Sequence, residues 1–214
     1  MQEVKEFEMK KVLIFVVSVL SSTSLFAYGR FSPIGISINC SQGANRRDSS
    51  DAQFPSSDDN VYGWRLAFIC GAHRNMVGLA SGIIANDDGS MDGYVGGLQA
   101  CALFNTAGTG ELGVWQLSGF YNKVEDSANG FQACAFFNEV SRGYFNGLQI
   151  AMANVANATL CGMQLGLYND CDSTWGMQIG LVNRSQSLAG VQLGVLNFVQ
   201  SSKMAMFPIV RIGW

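Results

Sequence analysis

An eight-residue pattern, Gly-apolar-Gln-apolar-small-apolar-apolar-Asn, occurs four times in succession at residues 147–154, 162–169, 176–183 and 190–197. Less regular copies precede it from Val61 onward. The closing asparagines of eight copies are Asn86, Asn105, Asn122, Asn138, Asn154, Asn169, Asn183 and Asn197, and their spacing shortens from 19 to 14 residues. Self-similarity at a nearly constant period indicates a repeat architecture, so this pattern constrains the fold more than any other feature.

The third position of the pattern is a glutamine in seven copies, at Gln99, Gln116, Gln132, Gln149, Gln164, Gln178 and Gln192. The closing Asn follows by six positions in the first three of these copies and by five in the last four. One added residue at a fixed point predicts a β-bulge. A polar stretch follows each closing Asn, and Asn tolerates turn conformations, so we expect these asparagines at turns.

Within one copy, the residues separate into two alternating sets. Met177, Ile179 and Leu181 share one parity, and Gly176 and Gln178 share the other. A period of two is typical of β-strands, and no stretch after the N-terminal segment has a convincing helical face. The repeat region is therefore predicted to be all-β.

Two all-β architectures fit these strands. In a β-solenoid each copy is one coil, equivalent strands stack in parallel, the apolar set faces inward, and the Asn side chains form a ladder at one corner. In an outer-membrane β-barrel, the alternative, the apolar set faces lipid, and the C-terminal 207–214 segment with its final Trp214 resembles a barrel ending. The uniformly short connections and the likeness of neighbouring copies favour the solenoid.

The N-terminal 27 residues have the pattern of a cleaved signal peptide. Lys10 and Lys11 precede a short apolar run at 12–20, which small residues up to Ala27 follow. The run is too short for a spanning helix. We therefore predict export, a first strand and a long polar loop over residues 28–60, and a tandem β-repeat domain over residues 61–214.

The repeats resemble those of a family of bacterial exported surface-repeat proteins, whose units read Gly-Leu-Gln-apolar-Gly-Leu-Val-Asn, often followed by Val-Ala. The match covers residues 62–197, and Asn154-Val-Ala156 has the Val-Ala tail. Cys101 and Cys134 depart from the family pattern, which has Gly or Ala there. The family consists of uncharacterised envelope or surface proteins, so the resemblance implies a location more than an activity.

The sequence has no recognisable catalytic or metal-binding constellation. His73 is the only histidine, which leaves no second one for a nucleophile triad, and it is expected in a loop. The acidic segment at 86–92 lacks calcium-loop spacing and is interpreted as a polar turn. The equivalent positions of Cys101 and Cys134, two units apart, place them too far apart for a disulfide and predict small buried thiols. We expect no enzyme activity, cofactor or metal.

The low charge of the chain narrows the choice of partner. Charged residues make up 14% of the sequence and the net charge is −3, which provides no basic surface for nucleic acid. The sequence thus predicts a non-enzymatic exported envelope or surface protein, in which a Gly/Gln face serves as scaffold or interaction surface for an unidentified partner. The predicted location is the outer membrane, the cell surface or the periplasm, and the alternative function is a barrel that acts as a pore or an anchor.

Overall fold

The computed structural model describes residues 31–37, 53–54, 60–71, 73, 75–88, 95–108 and 110–214. Every helix or strand in these ranges is a β-strand. The strands are β1 (Phe31–Ser37), β2 (Gln53–Phe54), β3 (Asn60–Ala67), β4 (Cys70–Gly71), β5 (Asn75–Gly82), β6 (Ala85–Asp88), β7 (Val95–Cys101), β8 (Phe104–Ala107), β9 (Gly110–Leu117), β10 (Tyr121–Val124), β11 (Ala128–Ala133), β12 (Phe137–Val140), β13 (Tyr144–Ile150), β14 (Ala153–Leu165), β15 (Tyr168–Ile179), β16 (Val182–Val199) and β17 (Met206–Gly213). The predicted signal peptide lies outside the described residues.

Equivalent residues of successive copies pair in parallel. Gln149 of β13 is opposite Gln164 of β14, which is opposite Gln178 of β15, and the closing asparagines are in the same register. Each copy is therefore one coil, and its backbone hydrogen bonds run to the coils before and after it. This arrangement confirms the predicted β-solenoid; a barrel of the predicted alternative kind needs antiparallel neighbours.

Antiparallel strands occur only at the two ends of the described stack. At the C-terminal end β17 pairs antiparallel with β16, and at the N-terminal end β2 pairs antiparallel with β1, which itself pairs in parallel with β3. A strand laid across the edge of a sheet limits further strand addition there. β1 lies in the region of the predicted first strand, and β2 lies within the predicted polar loop, whose other positions from 38 to 59 are outside the described residues.

The bends between strands explain the two repeat lengths. In the shorter copies two residues, such as Gly166 and Leu167, form the bend that precedes the closing Asn, and in the copies around Ser118 and Cys134 three residues lie between the strands. In these two copies the added residue is accommodated at the bend, and the bends still form backbone hydrogen bonds with one another, as from Gly119 N to the carbonyl oxygen of Ala102. The closing Asn belongs to the following strand, so the expectation that it lies in a turn was wrong.

Glycine at the first position of the pattern is required by the way the coils stack. Gly162 has a φ of 149°, and a Cβ built on it would be 2.1 Å from the carbonyl oxygen of Gly147 in the coil before. The same close approach recurs at Gly176 and Gly190. At these three positions a side chain could not be added without moving the neighbouring backbone. Val114, which the register places in the same column, follows Gly113 at an irregular point of the pairing.

Candidate functional site: an amide interior and an apolar outer surface

The repeat glutamines form one continuous ladder inside the solenoid. All seven are exposed by no more than 1%. From Gln116 to Gln192, each Nε2 donates to the Oε1 of the glutamine in the preceding coil, at 2.7–2.8 Å. In most coils the same Nε2 also donates to a backbone carbonyl of its own coil, for example from Gln164 to Asp170 at 3.3 Å. Amide side chains both donate and accept, so a stack of them can satisfy itself without water.

The closing asparagines form a second interior ladder, which runs in the opposite direction. Each Nδ2 from Asn86 to Asn183 donates to the Oδ1 of the asparagine in the following coil, at 2.8–3.0 Å. It also donates to a backbone carbonyl at the bend of that coil, as from Asn154 to Leu165 at 3.0 Å. Each closing Asn therefore fixes both the next closing Asn and the bend that precedes it.

The ladders end differently at the two ends of the stack. At the N-terminal end, the fully buried Arg65 stands in the glutamine column and donates from Nη2 to Oδ1 of Asn86 at 2.7 Å. At the C-terminal end, Oε1 of Gln192 is buried and has no hydrogen-bond partner among the described residues. The glutamine ladder thus ends on an unsatisfied acceptor, which costs free energy in a buried site.

Apolar side chains fill the space around the ladders. One buried cluster combines a column two residues after the closing Asn, such as Val124 and Val140, with a column ahead of the glutamine, such as Phe145 and Leu160. The interior is therefore mixed, with amide ladders bordered by apolar columns. This cluster extends over the coils from Val95 to Cys171, and Val61, Met76 and Ala80 form a separate cluster nearer the N-terminal end.

The predicted orientation of the two sets was wrong. The glutamines face inward, and the Met, Ile and Leu residues of the other set face outward, half-buried or exposed. The physical reason is that a stacked amide finds partners in both neighbouring coils, so burial leaves it satisfied. A Gly/Gln face is consequently not available as an interaction surface.

The most exposed apolar column lies at the bend and forms a feature that we call the ridge. Its residues, two positions before the closing Asn or its equivalent, are Ile69, Ile84, Leu103, Phe120, Phe136, Met152, Leu167, Leu181 and Val195. Apart from the half-buried Leu103, their exposed fractions range from 38% to 61%. At a coil spacing of about 4.8 Å these nine rungs extend over about 38 Å.

Further apolar columns border the ridge. The residues on either side of the glutamine column, in which Arg65 and Ala80 stand in the first coils, include Trp64, Leu79, Trp115 and Leu165, with exposed fractions of 39–59%. Aromatic neighbours stack along the axis, as in Phe120 and Phe136, whose ring centroids are 4.8 Å apart at an interplanar angle of 14°. Together with the ridge, the two columns that flank the glutamine form the apolar surface of the solenoid.

Charged side chains are segregated away from the apolar surface. None of its positions is charged, whereas Lys123, Glu125, Asp126, Glu139, Arg142, Asp170, Asp172 and Arg184 all lie in segments that follow a closing Asn. Ion pairs link Lys123 to Glu125 at 2.7 Å and Arg184 to Asp170 at 3.1 Å. The described coils are therefore amphipathic across the solenoid axis.

Among the described residues, concave regions on the outside of the solenoid include one along the apolar surface and one near the C-terminal end. The larger, of about 500 Å³, runs along the apolar surface with glycines such as Gly162 at its base and Leu148, Met163 and Met177 at its side. The smaller, of about 290 Å³, lies near the C-terminal end beside Tyr168 and Arg184. Arg184 in the smaller region already forms an ion pair with Asp170. The larger region is lined by Gly, Leu and Met residues alone, so we refer to it below as the groove.

The cysteines are not arranged as a catalytic or metal-binding group. Cys101 and Cys134 are free thiols, as predicted, but they are only half-buried: Cys101 is the last residue of β7, and Cys134 lies in the bend after β11. Burial raises the pKa of the Cys171 thiol to about 12. Cys70 is disulfide-bonded. No group of three or more His, Cys, Asp or Glu residues within the described part of the chain could hold a metal ion.

The remaining two candidates from the sequence are His73 and the acidic segment at 86–92. His73 lies between β4 and β5, outside any strand, as expected of a loop residue, but it is completely buried, and its Nε2 lies 3.4 Å from where a Cβ on Gly35 would be. Asp87 accepts a hydrogen bond from the hydroxyl of Thr106, and most of the acidic segment after it lies outside the described residues. Helices that could cross a membrane are absent from the described ranges.

Comparison with known proteins gives no further assignment: no family model, no curated protein and no solved structure matches the chain. The class of protein is therefore defined by the fold and its side chains. It is a β-solenoid with two interior amide ladders and an uncharged apolar surface along one side.

Proposed function

We propose that this chain is a non-enzymatic scaffold of the bacterial cell envelope and that the apolar surface is its interaction surface. The observation that supports this proposal is the exposure of the ridge along the stack, with fractions that reach 61% at Val195. Soluble proteins rarely expose contiguous apolar patches of this extent unless the patch binds a partner or a membrane. The partner surface is thus the opposite set of residues from the one that the sequence predicted.

A scaffold role agrees with how the interior is built. The ladder amides are engaged with one another and with backbone carbonyls, which leaves them little capacity for a substrate. Parallel coils bonded to both neighbours form a regular rod on which equivalent groups recur at every coil. Such a rod presents one surface over a long distance, which is the property that a scaffold needs.

The envelope location rests on the signal-peptide pattern of residues 1–27 and on the resemblance of the repeats. The test is fractionation of cells that produce the full chain. We expect the protein in the envelope fraction with residues 1–27 removed, as N-terminal sequencing or intact mass would measure. Recovery of the uncleaved chain from the cytosol would overturn the location.

The role of the apolar surface is tested in the same cells with a ridge variant. Phe136→Lys combined with Leu167→Lys changes two exposed side chains, and we expect it to reduce chemical crosslinking of the protein to other envelope components. Lysines placed at the exposed Asn157 and Gln186, on the opposite side, provide the control. Equal crosslinking of both variants would show that the ridge is not the interaction surface.

A further inference from the structure

The chemistry of the apolar surface restricts what can cover it. Its side chains are almost entirely hydrocarbon, thioether or aromatic, and Nε1 of Trp64 already donates to Oγ of Ser81 at 3.1 Å. Protein partners usually form about one hydrogen bond per 100–200 Å² of interface. This surface offers a protein partner very few such bonds, whereas a hydrocarbon layer needs none.

The distribution of charge points in the same direction. The ion-paired residues, such as Lys123 with Glu125, lie in the segments after the closing Asn, and the ridge and its bordering columns carry no charge. A body with one apolar side and one charged side is suited to a position within the interface between lipid and water. The exposed Trp64 and Trp115 are residues that favour that interface.

The shape of the apolar surface also suits lipid. Its groove of about 500 Å³ is based on Gly147, Gly162 and Gly176, where side chains are absent, and is bordered by Met163 and Met177. The groove follows the stacking direction across successive coils and its walls are carbon and sulfur atoms. A linear acyl chain can lie along such a groove without leaving a polar group unsatisfied.

We propose that the apolar surface embeds in the acyl layer of a lipid bilayer, so that the solenoid lies along the membrane with its charged side toward water. This inference rests on the proposed function, because it names the partner of the same surface. The ridge is the most exposed column and enters the layer first. The bound species is lipid as a surface, recognised through hydrocarbon rather than through a headgroup.

Flotation of the purified mature chain with phosphatidylcholine vesicles tests the proposal, because these vesicles carry no net charge. We expect the protein to float with the vesicles. Met152→Lys combined with Leu181→Lys, two coils apart on the ridge, is expected to lower the partition coefficient by at least about tenfold, since each side chain loses its apolar burial in lipid. Asn157→Lys with Gln186→Lys adds the same charge on the other side and is expected to float like the unmodified chain.

A second measurement does not depend on the variants. Vesicles that contain brominated phosphatidylcholine quench tryptophans in contact with acyl chains, so we expect loss of emission from Trp64 and Trp115 in the unmodified chain. A Trp64→Phe, Trp115→Phe variant identifies their share of the signal, with Trp175 and Trp214 as the remaining emitters.

Failure to float, equal loss of flotation in both lysine variants, or flotation without quenching would overturn the proposal. A stable dimer in light scattering that the ridge variant dissociates would assign the surface to a second copy and overturn it too. An envelope protein that crosslinks through the ridge in cells but does not bind vesicles would retain the proposed function and exclude lipid as the partner.

Discussion

Nη2 of Arg65 donates a hydrogen bond to Oδ1 of Asn86 at 2.7 Å, and both side chains are buried. Asn86 is the first closing asparagine of the ladder, and the register places Gly71 where a preceding asparagine would be. A Cβ on Gly71 would be 2.9 Å from Nε of Arg65. The long side chain in the glutamine column therefore takes over the role of a missing asparagine, and glycine leaves it the room to do so.

This relationship predicts that the two positions are coupled. Arg65→Gln removes the donor of Asn86, and Gly71→Asn places a side chain against the guanidinium, so each change alone should lower the free energy of unfolding by about 1–3 kcal/mol. The double variant restores a glutamine and an asparagine to their columns and should be more stable than Gly71→Asn alone. Urea unfolding of all four proteins measures the coupling; strictly additive effects would contradict it.

The position of a glutamine within its ladder should determine how far its substitution lowers the free energy of unfolding. Gln164→Leu leaves Oε1 of Gln149 without its donor and Nε2 of Gln178 without its acceptor in the ladder. Gln192→Leu at the ladder end leaves Oε1 of Gln178 without its donor but deprives no other glutamine of an acceptor. We expect the interior change to cost about 2–4 kcal/mol and the terminal change about half as much, from about 1–3 kcal/mol for each buried group left unsatisfied. Thermal and urea unfolding measure the difference, and equal losses would argue against ladder bonding as the source of stability.

Two glycines with a positive φ, Gly162 and Gly113, differ in the space that surrounds them. Gly162→Ala introduces a Cβ at 2.1 Å from a carbonyl oxygen in addition to an unfavourable φ of 149°. Gly113→Ala meets a similar φ restriction at 95°, but the nearest atom to its Cβ is at 3.9 Å. Backbone strain alone costs about 1–2 kcal/mol, and we expect Gly113→Ala to lose that amount and Gly162→Ala clearly more. Comparable midpoints of unfolding would show that the coils can separate to admit a side chain.

The free cysteines should react with an alkylating reagent in the order of their exposure, the most exposed first. Cys161 is exposed, burial raises the pKa of the half-buried Cys101 and Cys134, and burial raises the pKa of Cys171 to about 12. Because the thiolate is the reactive form, alkylation with iodoacetamide at pH 8 should label Cys161 first and Cys171 last. Peptide mass spectrometry over time measures this order, and early labelling of Cys171 would show that the interior opens readily.

The raised pKa of Cys171 also fixes the direction of a pH effect. A folded-state pKa above the unfolded value of 9.0 means that the neutral thiol contributes its full stability below pH 9. That contribution is lost as the pH rises from 9 towards 12, because the unfolded chain releases the proton first. Ser185 is the residue opposite Cys171 in the next coil, and it accepts a hydrogen bond from Gln192, so a serine fits this column. Cys171→Ser should therefore remove this part of the decrease in the free energy of unfolding at alkaline pH.

The repeat alone was sufficient to predict coils, strand parity and the stacking of like residues, because all three follow from a period. The orientation could not be predicted this way. Parity divides Met177 from Gln178 but does not state which of them is inside, and the usual preference of apolar residues for the interior gave the wrong answer. A usable signal was present in the chain itself: the inward Gln178 position is Gln in seven copies, whereas the outward Met177 position varies among Leu, Trp, Phe, Met and Val.

The ends of the stack were beyond sequence reasoning for a different reason. Arg65 lies in one of the less regular copies, at the position where later copies have Gln. Its role depends on Gly71 and Asn86, which are 6 and 21 positions away along the chain. Such compensation is visible only once the coils are in register. The ridge was missed with the orientation, because its residues were assigned to the interior.

The two ladders donate in opposite directions, the glutamines toward the N-terminal coil and the asparagines toward the C-terminal coil. Each amide carries a dipole, and a single aligned column would add one dipole per coil, as peptide units do in a helix. Here every coil adds a pair that largely cancels. The solenoid can therefore be lengthened or shortened by whole coils without a growing potential at its ends, so that electrostatics sets no limit on the number of repeats.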